Sequence, residues 1–161
     1  MNVGSGPNVL PGYDNLDLYV DAPGVIRADV RKLPYPDKSV DEVLASDILE
    51  HFPRLEWKAV LAEWVRVIKP GGLLVVQAPD MALLAAELLG ASDTNNDEDW
   101  EKWNRRIFGG QGDGRDDGKG QFHFTGFNAY FLQRHCENKL GLEYVSCDLH
   151  NYNFKLQMRK P

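Results

Sequence analysis

Short apolar runs alternate with amphipathic stretches along most of this chain, the pattern of an α/β domain built on a largely parallel sheet. Met1 to Val3 reads as the stub of a first strand, ending in the turn Gly4-Ser5-Gly6. Asn15 to Tyr19 reads as a second strand and Val25 to Ala28 as a short third. Val40 to Ala45 is a fourth, bounded upstream by the turn residues Pro34, Pro36 and Asp37. Residues 54–68 carry the clearest helical pattern. Leu55, Val60, Leu61, Trp64, Val65 and Ile68 fall near helical spacing, with Arg54, Glu56, Lys58, Glu63 and Arg66 largely on the other side. Lys69-Pro70-Gly71-Gly72 stops that helix. Leu73 to Ala78 is then a near-continuous apolar run, as expected of a strand covered on both faces. Met81 to Leu89 and residues 127–139 read as further helices, and Leu142 to Cys147 with Tyr152 to Met158 as a terminal antiparallel hairpin.

Between Gly90 and Gly120 the pattern breaks. Asp, Asn and Gly dominate, and the run Gly109-Gly110-Gln111-Gly112-Asp113-Gly114 gives the backbone little intrinsic order. The stretch around 90–124 is therefore expected to be a flexible insertion within a single domain spanning 1–161. Length supports one domain, since 161 residues suffice for one core without metal or disulfide. Cys136 and Cys147 lack zinc-ligand spacing and read as reduced thiols of a cytoplasmic protein. A net charge of −6 with scattered Lys and Arg argues against a nucleic-acid partner. The opening Asn2-Val3-Gly4 does not read as a targeting leader. No apolar run approaches the roughly 20 residues of a membrane span, so no membrane partner is expected.

Three features fall at strand ends, where open α/β sheets bind ligands. Glycines in Gly4-Ser5-Gly6 let a backbone approach a ligand closely, or simply make a tight turn. Asp17 can accept two hydrogen bonds from a ribose diol, or serve as a turn carboxylate. Asp29 can receive an adenine amino group, with Val30 as an apolar wall. The dinucleotide fingerprint's third glycine is missing, and no helix follows the turn, which disfavours a nicotinamide-dependent oxidoreductase.

Asn2-Val3-Gly4-Ser5-Gly6 followed by Gly12-Tyr13-Asp14-Asn15-Leu16-Asp17 resembles the opening of class I S-adenosylmethionine-dependent methyltransferases, specifically the type 11 group. Asp29 to Asp41, Ala45-Ser46-Asp47-Ile48-Leu49-Glu50-His51 and Arg66 to Gly72 resemble that group's next signatures in the right order. The resemblance implies a Rossmann-like sandwich, mostly parallel, with an antiparallel C-terminal hairpin. It implies S-adenosylmethionine as cofactor and S-adenosylhomocysteine as product. Gly4 and Gly6 would line the methionine part, Asp17 would hold the ribose, and Asp29 and Val30 would bracket the adenine, with Ser5 and Leu18 also among the cofactor-binding residues. Ser46 and Asp47 would lie near the methyl group. Two departures stand out: the chain has no helices before the first strand, and only nine residues separate Gly6 from Leu16, fewer than the dozen or so of a usual parallel crossover. The cofactor site is then either unusually open or covered by a partner subunit, as in a homodimer.

For catalysis, Asp47, Glu50 and His51 stand at i, i+3 and i+4, which a helical turn would place on one face. They resemble the acidic-x-x-Glu-His turn of ubiquinone-pathway O-methyltransferases, which lies beside the substrate and can involve a divalent metal. The plainer reading has His51 packing the next turn and Glu50 solvated. His123, between Phe122 and Phe124, is a candidate base or a loop anchor. Asp47, His51 and His123 are the catalytic candidates, and no metal ligands are assigned. Trp100, Trp103, Phe108, Phe122 and Phe124 form either an aromatic substrate pocket or the insertion's own core. The Ser46-Asp47-Ile48-Leu49 sequence is not the motif of enzymes that methylate DNA amino groups. The expected reaction is methyl transfer to oxygen or nitrogen of a small molecule, and the alternative is a cofactor-binding module without catalysis of its own.

Overall fold

A computed structural model describes residues 1–90, 97–110 and 122–161. Seven strands form one sheet in the order β3-β2-β1-β4-β5-β7-β6. They are β1 (Asn2–Val3), β2 (Asn15–Asp17), β3 (Val25–Arg27), β4 (Val40–Ser46), β5 (Ile68–Pro79), β6 (Glu143–His150) and β7 (Asn153–Arg159). The first five are parallel. β7 enters antiparallel between β5 and β6, so the expected terminal hairpin is present and lies within the sheet. The first crossover is the helix-free loop that the short spacing required.

Helix α1 (Trp57–Val67) packs on β4 and β5, and α4 (Ala129–Leu140) on β6 and β7. Trp57 joins the two helices, meeting the rings of Phe127, Phe131 and His135 edge-on. Trp64 lies buried beneath them and donates its indole N–H to the Val30 carbonyl at 2.9 Å. Burying that ring without a partner for its N–H would be costly, so this bond fixes the chain that follows β3. Helices α2 (Met81–Gly90) and α3 (Asp97–Phe108) follow β5.

Several boundaries differ from those read in the sequence, each for a local reason. β2 stops at Asp17 and not at Tyr19, because Asp17 Oδ1 accepts the N–H groups of Tyr19 and Val20 and turns the chain. α1 starts at Trp57 and not at residue 54. The Pro53 carbonyl accepts from Glu56 and Trp57, closing a turn that leaves Leu55 79% exposed. Lys69 to Gly72 do not merely stop α1 but already belong to β5. α4 begins one residue after Asn128, whose side chain accepts from the Phe131 N–H at 2.8 Å and caps it. Within the stretch expected to be unstructured, α3 forms and buries Trp103 beside Tyr152. The rest of that expectation, like the side chain of Trp100, lies outside the described residues. No described helix is long and apolar enough to cross a membrane.

Candidate functional site

A cleft of about 950 Å³ opens over the carboxyl ends of β1, β2, β3 and β4. Gly4, Ser5, Gly6, Asp17, Leu18, Asp29, Val30, Ser46 and Asp47 all line it, so every position read as cofactor-binding meets there. His51, Phe122 and Phe124 add a further wall. His123 does not line the cleft; it stands behind His51, their ring centroids 4.9 Å apart in an edge-on pair.

The turn after β1 is shaped by backbone conformation. Gly4 (φ 64°) and Gly6 (φ 54°) are both left-handed. A Cβ on Gly4 would lie 2.5 Å from the Ile48 side chain, whereas a Cβ on Gly6 would meet nothing within 4 Å. Gly4 thus permits close packing below, and Gly6 leaves a cradle open above. Asp17 ties this turn to the next strand, its Oδ2 accepting the Gly6 N–H at 2.9 Å. Asp29 is gripped by Arg31, with contacts of 2.8 to 3.0 Å to both carboxylate oxygens. The Arg31 hydrogen bonds hold its pKa below the usual value.

Asp47 is not on a helical face with Glu50 and His51. It occupies a left-handed bend (φ 53°) at the end of β4, before a short 3₁₀ turn over Leu49–His51. Its oxygens accept from Gln77 Nε2 at 2.9 Å and from Asn153 Nδ2 at 3.0 Å. Burial raises its pKa, an effect opposed by the Gln77 hydrogen bond. Glu50, in turn, is not solvated. It is 2% exposed, and neither carboxylate oxygen has a hydrogen-bond partner among the described residues. Burial pushes its pKa up to about 8. Such a group is neutral for the most part at pH 7.

The two imidazoles are also uncharged at that pH. Burial, and then the neighbouring His123, push His51 down to about 4, and burial lowers His123. His51 Nδ1 lies 2.9 Å from the Phe122 carbonyl, and His123 Nδ1 lies 3.1 Å from that of Arg106. The Glu50 carbonyl accepts from Phe124 at 2.8 Å and Thr125 at 3.2 Å, which pins this loop to the 3₁₀ turn. Glu50, His51 and His123 offer ligand atoms that all lie within 4.8 Å of one another. The sequence reading assigned no metal ligands, yet this group can hold an ion. Its signal was a glutamate and a histidine inside the apolar run Ile48-Leu49-Glu50-His51-Phe52. Gln77 and Asn153 had no local signal, being 30 and 106 positions from the residue they serve.

Of the aromatic candidates, Trp103 is buried beside Tyr152 and close to the guanidinium of Arg106, away from the cleft wall. Phe108 is half exposed. Phe122 and Phe124 face the cleft.

Residues 14–76 match a family profile described as a methyltransferase domain. A curated protein from Mycobacterium tuberculosis, described as an uncharacterized methyltransferase, is 44% identical over 59 residues, 36% of this chain and 22% of that relative. The match thus spans about a fifth of that relative's length. Among solved structures, a protein from Pyrococcus horikoshii OT3 aligns with a TM-score of 0.64 at 19% identity, covering 99% of this chain and 80% of its own. The 1,6-didemethyltoxoflavin-N1-methyltransferase of Burkholderia thailandensis, solved with 1,6-didemethyltoxoflavin and S-adenosylhomocysteine, aligns at 0.58 and 15% identity, covering 90% of this chain and 59% of its own. The resemblance to class I methyltransferases read from the sequence is borne out, and the fold is Rossmann-like and of that class.

Proposed function

We propose that this methyltransferase-like chain binds S-adenosylmethionine in the strand-end cleft and transfers its methyl group to oxygen or nitrogen of a small molecule. The observation that carries this reading is the convergence of nine positions, drawn from four strand ends, on one cleft. The residues suit the cofactor. The space above Gly6 admits a ligand against the backbone, as an amino-acid tail requires. Asp17 still has lone pairs beyond its backbone hydrogen bonds to receive a ribose diol. Leu18 and Val30 offer apolar contact beside the adenine, and the Asp29 carboxylate stands at the same end. When bound, the cofactor supplies an electrophilic methyl group on a sulfonium.

The chain's own contribution is position and proton handling. Ser46 and Asp47 border the region where the acceptor must stand, and Asp47 is held there by Gln77 and Asn153. His51 lines the cleft as the group that would take the proton of an O–H or N–H acceptor, a weak base in the free protein because burial holds its pKa at about 4. His123 orients His51 through the ring contact. Phe122 and Phe124 give the acceptor an apolar wall.

Calorimetric titration with S-adenosylmethionine, S-adenosylhomocysteine and NAD tests the cofactor. Binding of the first two is expected, and binding of NAD alone would overturn the reading. A panel of small metabolites with labelled cofactor then tests transfer. Tight cofactor binding with a silent panel would favour the alternative, a binding module, which the open helix-free wall between β1 and β2 supports.

A further inference from the structure

We propose that Arg31 is a positioning residue of the nucleobase end of the cleft, holding the Asp29 carboxylate so that it selects a purine bearing an amino group over one bearing an oxo group. The inference rests on the proposed binding of S-adenosylmethionine in this cleft. Its first support is the grip itself. Arg31 Nε donates to both Asp29 oxygens at 3.0 Å, and Nη2 donates to Oδ2 at 2.8 Å. The Arg31 backbone N–H adds a bond to Oδ1 at 2.9 Å, closing a tight turn. A carboxylate on a loop is ordinarily free to rotate, and this one is fixed at both oxygens.

The second support is that the grip is anchored on both sides. Arg31 Nη1 stands 3.8 Å from Glu56 Oε2, and Glu56 is the N-cap residue of α1. Val30, between Asp29 and Arg31, has its carbonyl held by the buried Trp64 indole at 2.9 Å. The guanidinium thus spans from the chain after β3 to the start of α1, and Asp29, Arg31 and Glu56 all line the cleft. The third support is where the pair stands. The side chains are 49% exposed for Arg31 and 39% for Asp29, a setting in which an ion pair adds little to folding stability. The consequence of the fork falls on what the carboxylate can bind.

An ionised carboxylate only accepts hydrogen bonds and has about four lone-pair sites. The three donors of Arg31 leave room for one more, which an exocyclic amino group of a purine supplies. The Arg31 hydrogen bonds also hold the Asp29 pKa below its usual value. The group therefore does not take up the proton that would let it donate to an oxo group. With an oxo group in place of the amino group, two acceptors would face each other, and a site built on such a bond rejects the analogue that lacks its donor.

The whole chain is titrated by calorimetry with S-adenosylhomocysteine and with S-inosylhomocysteine, the analogue in which an oxo group replaces the adenine amino group. The parent protein is expected to bind the first about tenfold or more tightly than the second. R31Q should weaken S-adenosylhomocysteine about tenfold and leave S-inosylhomocysteine nearly unchanged, so that the preference disappears. The double variant R31Q/D29N should bind S-adenosylhomocysteine no more weakly than D29N alone, because Arg31 acts through Asp29. Circular dichroism and thermal melts separate lost selection from lost fold. If R31Q does not fold, R31K, which keeps the charge and loses the fork, is read by the same ratio. A parent without preference, parental preference in the folded Arg31 variant, equal losses for both ligands, or additive effects in the double variant would overturn the role of Arg31. A parent protein that binds neither ligand would overturn the cofactor reading and this role with it.

Discussion

Asp17 serves two purposes at once. Its carboxylate fixes the Gly6, Tyr19 and Val20 amides and keeps lone pairs for a ligand. Asp17→Ala is therefore expected to weaken S-adenosylhomocysteine binding by about 1–3 kcal/mol, and unchanged affinity by calorimetry would remove Asp17 from the site. Gly4 answers to sterics instead. A Cβ there would sit 2.5 Å from Ile48 on a left-handed backbone, so Gly4→Ala should cost about 1–3 kcal/mol in chemical denaturation. Adding Ile48→Ala should recover the part due to the clash and not the part due to φ. Cys136 is buried, and that burial pushes its thiol up to about 12. At pH 8 it is expected to resist iodoacetamide in the folded protein and to react once denatured, as mass spectrometry would show. The cofactor-binding positions were legible because each sits at a strand end, where a short run of sequence sets both residue type and place. The surroundings of Glu50 were not, because the loop that bonds to its carbonyl, through the Phe124 and Thr125 amides, lies more than seventy positions away.

Element identities followed from the apolar periodicity, and the errors fall at the ends. β2 and α4 are bounded by bonds from Asp17 and Asn128, single side chains whose turn-making role competes with continuation of the pattern. α3 was hidden because its sequence, Asp97 to Phe108, is predominantly polar, and among its described side chains only Trp103 is buried. The end of α1 shows a non-local cap. Lys160 Nζ donates to the carbonyls of Val65 at 2.7 Å and Ile68 at 2.8 Å, adding a cation to a last turn whose Val65, Arg66 and Val67 carbonyls also accept the amides of Ile68, Lys38 and Ser39. Lys160→Met, which keeps the apolar stem, is expected to lower stability by about 1 kcal/mol. A thermal melt unchanged from the parent would show that water serves those carbonyls equally well.

Across the whole molecule, stability is expected to be graded from the middle of the sheet outward. β5 is flanked along its length by β4 and β7, with Leu74, Val76, Leu156 and Met158 almost fully buried. β3, by contrast, is a three-residue edge strand with Ile26 and Arg27 exposed. Hydrogen exchange should therefore be slowest in β4, β5 and β7 and fastest, among the strands, in β3. Equal protection of β3 and β5 would show a domain that opens only as a unit.

The position of β7 also bears on how the protein is made. This strand lies between β5 and β6, yet it is the last of the seven to be synthesised. Until it emerges, one edge of β5 has no hydrogen-bonding neighbour, and the apolar side chains that β7 covers stay open to solvent. The domain therefore cannot close its sheet strand by strand during translation. A nascent chain halted before residue 153 would expose an apolar, unpaired sheet edge to aggregation or to a chaperone until β7 is made and takes its place beside β5.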